Sequence, residues 1–280
     1  MQLLVTGSTG RIGRMLRLVW VGADAPPVPM LWQGRRPDQD IDIPWDIAAD
    51  PAPPLPHGLI VLHLAGRVAG SAAVLAENRL MTAALCLAAR ENLARHVFVM
   101  SSVAVYPPVA ALIAEECPAR PISPYGQSKL EAEQAAAKTL HGSATGLTLL
   151  RLANLAGADA LLGQPADRTL TLDPIANQPR GPQRSYIGPH ALARVLARLV
   201  ALAAQRETLP RLLNLAQPPV VAMADLLDAR GQVWHFGPAR TAAVPSVGVA
   251  TDRLAALLPL PTLTPSSLIA DLNRLGGRWP

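Results

Sequence analysis

Residues 125–129, Tyr-Gly-Gln-Ser-Lys, hold one of the three tyrosines and one of the two lysines, four positions apart. On a helix this spacing places Tyr125 and Lys129 on one face. A phenol with a pKa of about 10 is a poor base at neutral pH, and a nearby ammonium lowers that pKa. Nearly all other basic residues are arginines, whose planar guanidinium differs from an ammonium in shape and hydration. The pair is typical of proton-transfer chemistry; the alternative is an exposed pair one turn apart on a helix.

The first residues of the chain predict the element that would bind a cofactor beside this pair. Residues 2–6 are an apolar run of strand type, residues 7–13 read Gly-Ser-Thr-Gly-Arg-Ile-Gly, and residues 15–20 have apolar side chains at helical spacing. Glycines permit a tight turn and close approach of a pyrophosphate, and the helix N-terminus adds partial positive charge. Strand, glycine-rich turn and helix together indicate dinucleotide binding.

Further strands and helices alternate along the first half of the chain. We predict strands over residues 28–32, 59–64, 97–101 and 147–151, and helices over residues 71–92 and 125–140. Apolar strands separated by helices indicate an α/β fold, a Rossmann-type doubly wound parallel sheet with a small, mostly helical C-terminal substrate lobe. We place a dinucleotide-binding domain at residues 1–155. Residues 156–280 form a mixed region that returns one or two elements to the sheet, at 212–216 with a helix at 223–229, and builds the substrate-binding lobe.

Composition excludes several classes of protein. Half of the 280 residues are apolar, which disfavours disorder. The net charge of +5 is spread over scattered arginines, and only 4% of residues are aromatic, so we expect no nucleic-acid partner. Cys86 and Cys117 have no nearby metal-ligand partners and indicate a reducing compartment. No signal segment or membrane span is apparent, and we expect a cytoplasmic protein without a membrane partner.

Six motifs occur together in a characteristic order. They are TGSTGRIG at 6–13, HLAG at 63–66, Asn78 with Thr82, SSVAVY at 101–106, YGQSK at 125–129 and RLANLAG at 151–157. With them the chain resembles the extended short-chain dehydrogenase/reductases, in particular the NAD-dependent epimerase/dehydratase family. The resemblance covers roughly residues 1–230, and the conjunction of motifs is far more specific than any one of them.

The resemblance implies a set of catalytic residues. Tyr125 is the expected general acid and base, exchanging a proton with a substrate oxygen while a hydride moves to or from the nicotinamide. Lys129 is expected to bond the nicotinamide ribose and to lower the pKa of Tyr125. Ser102, rather than its neighbour Ser101, is expected to hydrogen-bond the reacting oxygen.

The resemblance also implies a set of cofactor-binding residues. They are Gly7, Thr9, Gly10, Arg11, Ile12, Gly13, Arg35, Arg36, Asp46, Ile47, Leu64, Ala65, Gly66, Asn78, Tyr125 and Lys129. Asn78 is expected to secure its helix against the turn after strand 97–101. An NAD enzyme usually ends its second strand in a carboxylate that binds the ribose, whereas residues 32–36 read Trp-Gln-Gly-Arg-Arg. Because guanidinium pairs with a 2′-phosphate, NADP is favoured and NAD remains possible.

The second half of the chain specifies the substrate less well. Asn154 and Arg184 resemble family residues that contact the diphosphate of a nucleotide sugar, and with Ser102 they are the candidate substrate-binding residues. The family usually has Val-Asp-Asp where this chain has Pro189, His190 and Ala191, and we expect His190 to begin a helix. Residues 157–183 are few for a nucleotide-sugar pocket. One alternative is a substrate smaller than a nucleotide sugar. The other is a substrate held mainly by four polar side chains, Arg151, Asn154, Arg168 and Arg184.

Three functions remain open from the sequence, all with a small-molecule ligand. The first is an NAD(P)-dependent oxidoreductase or epimerase acting on a sugar, sugar acid or nucleotide sugar. The second is an NADPH-dependent carbonyl reductase of a small compact ketone or aldehyde, and the third is a non-catalytic NAD(P)-binding sensor. The resemblance further implies a homodimer formed through helices 71–92 and 124–140.

Overall fold

The computed structural model describes residues 1–109, 111–239 and 244–277. Within them the chain forms two compact units. The first comprises Met1–Pro107, Ala119–Arg151 and Arg194–Leu213, and the second Pro108–Pro118, Leu152–Ala193 and Asn214–Pro280.

The described residues form thirteen strands and seven α-helices. The strands are β1 Leu3–Thr6, β2 Met30–Gly34, β3 Ile43–Pro44, β4 Ile60–His63, β5 His96–Ser102, β6 Gly146–Leu152, β7 Asn154–Leu155, β8 Leu170–Leu172, β9 Gln183–Ile187, β10 Leu212–Leu215, β11 Gln217–Ala222, β12 Trp234–Phe236 and β13 Ser246–Val247. The helices are α1 Arg11–Val19, α2 Ala72–Glu91, α3 Pro124–Thr139, α4 Pro189–Ala204, α5 Met223–Arg230, α6 Asp252–Leu257 and α7 Pro265–Asn273.

A seven-stranded parallel sheet in the order β10-β6-β5-β4-β1-β2-β3 confirms the predicted Rossmann-type fold. β1 lies inside the sheet between β4 and β2, with Leu3 opposite both Met30 of β2 and Ile60 of β4. All residues of β1 and β4 are buried, which matches their continuous apolar sequence. The carboxyl ends of β1, β4 and β5 therefore lie along one edge of the sheet. The motifs at 6–13, 63–66 and 101–106 lie at these three strand ends.

Two long helices of the first unit, α2 and α3, begin at the positions that the sequence predicts. The Ser71 hydroxyl accepts a hydrogen bond from Val74 N, and the Ser123 hydroxyl accepts one from Gly126 N before Pro124 at the first helical position. Their apolar faces join β4, β5 and β6 in one core. This packing fixes the orientation of the buried face of α3, which carries Lys129.

The second unit contains more strand than we expected. β7, β9, β11 and β13 form a four-stranded sheet, and β8 pairs with β12. A separate core joins side chains of this sheet to α5 and α7. The sequence obscured these strands because they are short and their partners are distant in the chain: β13 pairs with β9 across about sixty residues.

The two units are interleaved rather than divided by a single boundary. The first unit includes residues 194–213 from the second half of the chain, and the second unit includes residues 108–118 from the first half. The first unit includes this later segment because the chain returns to the sheet at β10, which pairs with β6. The sequence predicts this return at residues 212–216. Residues 278–280, at the end of the predicted lobe, lie outside the described residues.

α2 is the one helix in the described part of the chain that is long and apolar enough to cross a membrane. Of its most apolar window, 44% is buried within the fold, and a core helix meets the same criterion.

Candidate active site

The turn after β1 is built for close approach of another backbone. Gly7 has φ +66°, and a Cβ there would lie 2.6 Å from Ala65 N. A Cβ on Gly13 would lie 2.4 Å from the Ser8 carbonyl oxygen. Both positions therefore exclude any side chain. Gly10 precedes α1 with no side-chain cap, so the turn can present its N–H groups to an anion as the sequence predicts.

A cavity of about 230 Å³ lies over this turn. Nine predicted cofactor residues line it: Gly7, Thr9, Gly10, Arg35, Asp46, Ile47, Leu64, Ala65 and Gly66. Four lining residues were not predicted: Gln33, Gly34, Arg67 and Met81. The other predicted cofactor residues, which are not among the lining residues, are Arg11, Ile12, Gly13, Arg36, Asn78, Tyr125 and Lys129.

Gln33 is the last residue but one of β2, in the segment where an NAD enzyme usually carries a carboxylate. Its buried side chain accepts a hydrogen bond from Gly7 N at 2.9 Å and donates one to the Trp45 carbonyl at 2.6 Å. The amide thus braces the glycine turn against the segment that carries Asp46 and Ile47. Arg35 and Arg67 are cationic side chains that line the cavity; Arg35 and Arg36 are both exposed, and Arg36 is not among the lining residues.

Tyr125 lies in the first turn of α3, and the Ser102 hydroxyl at the end of β5 is close enough to lower its pKa as a hydrogen-bonding partner. The two elements pack closely, since a Cβ on Gly126 would lie 2.1 Å from the Ala104 carbonyl oxygen. Burial raises the pKa of Tyr125, and the hydrogen bond with Ser102 opposes that rise. The phenol is therefore protonated at neutral pH. Lys129 is not among the groups that shift this pKa, and its expected effect on Tyr125 stays a prediction.

Lys129 is buried one turn further along α3. Its Nζ donates a hydrogen bond of 2.9 Å to the Met100 carbonyl, and a Cβ on Gly66 would lie 3.1 Å from the same Nζ. The ammonium thus lies against a glycine that lines the cavity. Burial lowers the pKa of Lys129 to about 8, and the negative charge of Glu133 acts in the opposite direction. The ammonium form still predominates at neutral pH.

A buried ion pair lies behind Lys129. Arg151 donates from Nε and Nη2 to the two carboxylate oxygens of Glu133, at 2.9 and 2.7 Å. Ser101 donates to Glu133 at 2.5 Å, and the Arg151 guanidinium lies 4.5 Å from the ring centre of Tyr106. Arg151 is therefore engaged inside the first unit, which corrects the suggestion that it helps to hold the substrate. The sequence reasoning missed Glu133, although its position four residues after Lys129 was a usable signal.

Asn78 connects α2 to two other elements. Its side-chain oxygen accepts from Arg67 N at 2.6 Å, and Nδ2 donates to the Arg67 carbonyl and to the Ser128 hydroxyl, each at 3.0 Å. We expected this amide to secure the turn after β5. It instead joins the loop after β4, through Arg67, to the start of α3, through Ser128.

His63 is a second buried polar residue that sequence reasoning passed over. Its two ring nitrogens are hydrogen-bonded to the hydroxyls of Thr6 at 2.7 Å and Thr82 at 3.2 Å. Burial, aided by the charge of Lys129, lowers the pKa of His63 to about 3, so the ring is neutral. The histidine ties β1, β4 and α2 together beneath the cavity.

The two remaining predicted substrate residues belong to the second unit, on the neighbouring strands β7 and β9. Asn154 donates to the Ser185 carbonyl at 3.2 Å. Arg184 donates to the carbonyls of Gln183 at 2.7 Å and Val244 at 2.9 Å, and burial lowers its pKa. In the same unit His190 lies in the first turn of α4, as predicted, and its ring pairs with Asp271.

A parallel sheet with a glycine turn after its first strand, and a Ser-Tyr-Lys set at the end of β5 and the start of α3, define a protein of the extended short-chain dehydrogenase/reductase class. The chain belongs to the NAD dependent epimerase/dehydratase family, whose family model matches residues 3–189. The predicted family is thereby confirmed, and with it the assignment to a family of enzymes.

Solved structures share the fold over the whole chain. MoeE5 in complex with UDP-glucuronic acid and NAD is 20% identical, with a TM-score of 0.73 over 99% of each chain. UDP-glucuronic acid 4-epimerase from Bacillus cereus, in complex with UDP-glucuronic acid and NAD, is 17% identical, with a TM-score of 0.74 over 100% of each chain. TunA, an NAD-dependent NDP-hexosamine 5,6-dehydratase, is 18% identical, with a TM-score of 0.74 over 99% of this chain and 98% of that one. No curated protein matches the chain.

Proposed function

We propose that the protein is an NAD(P)-dependent oxidoreductase or epimerase acting at a hydroxyl- or carbonyl-bearing carbon of a sugar, sugar acid or nucleotide sugar. One observation carries the proposal. The Lys129 ammonium lies against Gly66 of the cavity, and one turn earlier on the same helix Tyr125 has the Ser102 hydroxyl as the neighbour that lowers its pKa. A proton-transfer group and a dinucleotide cradle thus adjoin one another.

The proposed chemistry assigns one role to each side chain. A bound nicotinamide dinucleotide supplies the hydride acceptor or donor. In the oxidising direction the deprotonated Tyr125 oxygen takes the proton of a substrate hydroxyl as the hydride leaves the carbon that bears this hydroxyl. In the reducing direction Tyr125 returns a proton to the oxygen. Ser102 holds the reacting oxygen by a hydrogen bond. Lys129 favours the deprotonated form of Tyr125 when an oxidised nicotinamide adds its positive charge nearby.

The residues over the glycine turn fit a dinucleotide. Gly7 and Gly13 leave no room for side chains where the backbone must approach a pyrophosphate, and Asp46 with Ile47 lines the same cavity. We favour NADP over NAD because the end of β2 offers Gln33, hydrogen-bonded at both ends of its amide, in place of a ribose-binding carboxylate, while Arg35 lines the cavity. The solved structures of MoeE5 and of the Bacillus cereus epimerase contain NAD, so NAD remains the alternative.

The cofactor choice is tested by binding. Dissociation constants for NADPH and NADH are measured by fluorescence for wild type, Arg35→Ala and Arg36→Ala. If a guanidinium pairs with the 2′-phosphate, Arg35→Ala weakens NADPH binding roughly 10- to 100-fold, the range for a hydrogen bond between charged groups. NADH binding stays within about twofold of wild type. Equal affinities for the two dinucleotides, unaltered in both variants, remove the preference for NADP.

Nucleotide sugars are the substrates that the comparison favours first. UDP-glucuronic acid is bound in the structures of MoeE5 and of the Bacillus cereus epimerase. We propose Asn154 and Arg184 as contacts of the diphosphate, since the two lie on paired strands and Arg184 keeps donors beyond those given to backbone carbonyls. Arg184→Gln is expected to raise KM for a nucleotide sugar and to leave KM for a sugar without a diphosphate unchanged.

An NADPH-dependent carbonyl reductase of a small ketone or aldehyde is the second candidate. It is favoured by the same observation that favours NADP, the engaged Gln33 beside Arg35. Net NADPH oxidation with small ketones supports the reductase. Conversion of a nucleotide sugar without net change in the cofactor supports an epimerase, which returns its hydride to the same substrate.

Tyr125→Phe is the test of the proposed chemistry. The variant is assayed with a panel of nucleotide sugars, aldoses and small ketones, and removal of the acid/base is expected to lower kcat roughly 10²- to 10⁴-fold. The dissociation constant of the dinucleotide serves as the control and is expected to stay within about twofold. Undiminished turnover contradicts the role of Tyr125. Dinucleotide binding without activity on any member of the panel favours the sensor.

We also propose a homodimer and a cytoplasmic location. Leu80 and Leu87 lie seven residues apart on α2, which is about two helical turns, and have 46% and 50% of their surface exposed. A second copy of α2 and α3 would cover these leucines. Leu80→Lys with Leu87→Lys is expected to give a monomer by mass measurement in solution, and an unchanged dimer would exclude this face. The two free cysteines favour a reducing compartment.

A further inference from the structure

Lys129 and Glu133 lie four residues apart on the buried face of α3. Their exposed fractions are 8% and 4%. Side chains at this spacing are neighbours on a helix surface, and the negative charge of Glu133 acts on Lys129. The proposed proton chemistry uses Lys129 and leaves this buried carboxylate without a role.

The Glu133 carboxylate is held by two strands of the sheet. Arg151 of β6 binds both of its oxygens, and Ser101 of β5 donates to one of them. A carboxylate held by three hydrogen bonds cannot turn away from its helix. The guanidinium is itself always charged, so the carboxylate keeps an ionic partner across the whole working pH range.

An ammonium buried as deeply as that of Lys129 needs such a neighbour. Burial penalises the charged form of a lysine, and the hydrogen bond to the Met100 carbonyl satisfies only one of three donors. We propose that Glu133 is a positioning residue: its carboxylate, fixed by Arg151 and Ser101, keeps the Lys129 side chain cationic and directed at the Gly66 turn. The proposal rests on the proposed role of Lys129 in proton transfer.

The other ionisable groups around Lys129 do not supply this charge. His63 of β4 has a pKa lowered to about 3 by burial and is neutral when Lys129 titrates. Burial raises the pKa of Tyr125 on α3, so the phenol is neutral there too. Arg151 of β6 is a cation and opposes the ammonium form. Glu133 is thus the group that counters the penalty of burial.

The chain is well suited to a direct test because it has only two lysines, Lys129 and Lys138. In protein labelled with ¹³C-lysine, the two Cε signals are followed by NMR over a pH range that begins well below the lowest expected pKa, and Lys138→Arg assigns them. We expect a pKa of about 8 for Lys129 in the wild type. In Glu133→Gln it is expected to fall by about 1 to 3 units, the effect of removing an opposite charge at close range.

The matched control is Glu131→Gln, two residues earlier on α3. The Glu131 side chain accepts a hydrogen bond from Gln127 on the exposed side of the helix. This variant also removes one carboxylate from α3, and we expect it to leave the pKa of Lys129 unchanged. A comparable fall in both variants would mean that the overall charge of the helix, rather than Glu133, sets the pKa.

If Glu133→Gln does not fold, the titration is made on Glu133→Gln combined with Arg151→Met, which leaves neither buried charge unpaired. The pKa of Lys129 is expected to fall there as well, by less, because a cation is removed together with the anion. A pKa equal to or above that of the wild type in the folded variant overturns the proposal. Since the titration needs neither substrate nor cofactor, its outcome is independent of whether Tyr125→Phe abolishes turnover.

Discussion

Removing one member of the Glu133–Arg151 ion pair should destabilise the protein far more than removing both. The charged atoms meet at 2.9 and 2.7 Å, and the side chains of Arg151 and Glu133 are 7% and 4% exposed. Breaking a buried pair of this kind leaves an uncompensated charge and costs about 3–5 kcal/mol. Replacing both partners by uncharged side chains of similar volume is often neutral. We expect about 3–5 kcal/mol of destabilisation in each of Glu133→Gln and Arg151→Met, and about 0–2 kcal/mol in the double variant.

The assay is a double-mutant cycle in urea. Free energies of unfolding are measured at pH 7 for the wild type, the two single variants and the double variant, with the slope against denaturant compared among them. A coupling energy of about 3 kcal/mol or more agrees with the buried pair. If the two single losses simply add in the double variant, Glu133 and Arg151 do not act as a pair, and the structural basis of the network is wrong.

Three other features of the site give shorter predictions. Gly7→Ala is expected to lose more than about 1 kcal/mol of stability and at least about tenfold in dinucleotide affinity, because its Cβ meets backbone 2.6 Å away; Gly58→Ala, with a similar positive φ but open space, is the matched control and should keep its affinity. The unfolded state binds a proton on His63 below about pH 6.5 while the folded state resists protonation to about pH 3, so its contribution to stability is complete above pH 6.5 and is lost as pH falls. When the pH is lowered from 6.5 to 5, the free energy of unfolding in urea should fall by roughly 2 kcal/mol less in His63→Asn than in the wild type. Equal falls in the two proteins would contradict the neutral buried ring. A thiol reagent should modify Cys117 quickly and leave Cys86 unmodified until unfolding, because burial raises the pKa of Cys86 to about 12. Fast modification of both cysteines in the folded protein would contradict this prediction.

The fold was readable because its strands are apolar throughout and its turns are marked by glycines and helix caps. Residues 2–13 and 123–129 carry signals that act over a few residues, and the structure has a strand, turn or helix cap at each. The strands of the second unit gave no such signal. β7, β8, β12 and β13 are two or three residues long and pair with distant segments, which a local pattern does not report.

The candidate site divides in the same way. Glycines that must be glycine, such as Gly7, and helix-spaced pairs, such as Tyr125 with Lys129, are visible in the sequence. The partners of a polar side chain are not: nothing local indicated that Arg151 faces Glu133, or that Gln33 bonds the Gly7 turn. The state of Tyr125 was also unpredictable, since the balance between burial and hydrogen bonding depends on packing.

The most direct measurement of the central proposal is the pKa of the Tyr125 phenol with and without an oxidised dinucleotide. The chain has three tyrosines, so labelling the phenolic carbon with ¹³C gives three NMR signals, and Tyr125→Phe assigns the one of interest. Burial alone holds this pKa above its ordinary value. Saturation with NAD⁺ or NADP⁺ is predicted to lower it by about 1 unit or more, as a positive charge close to a phenol should. A pKa that does not move when the dinucleotide is demonstrably bound would contradict the assignment of Tyr125 as the group that exchanges the proton.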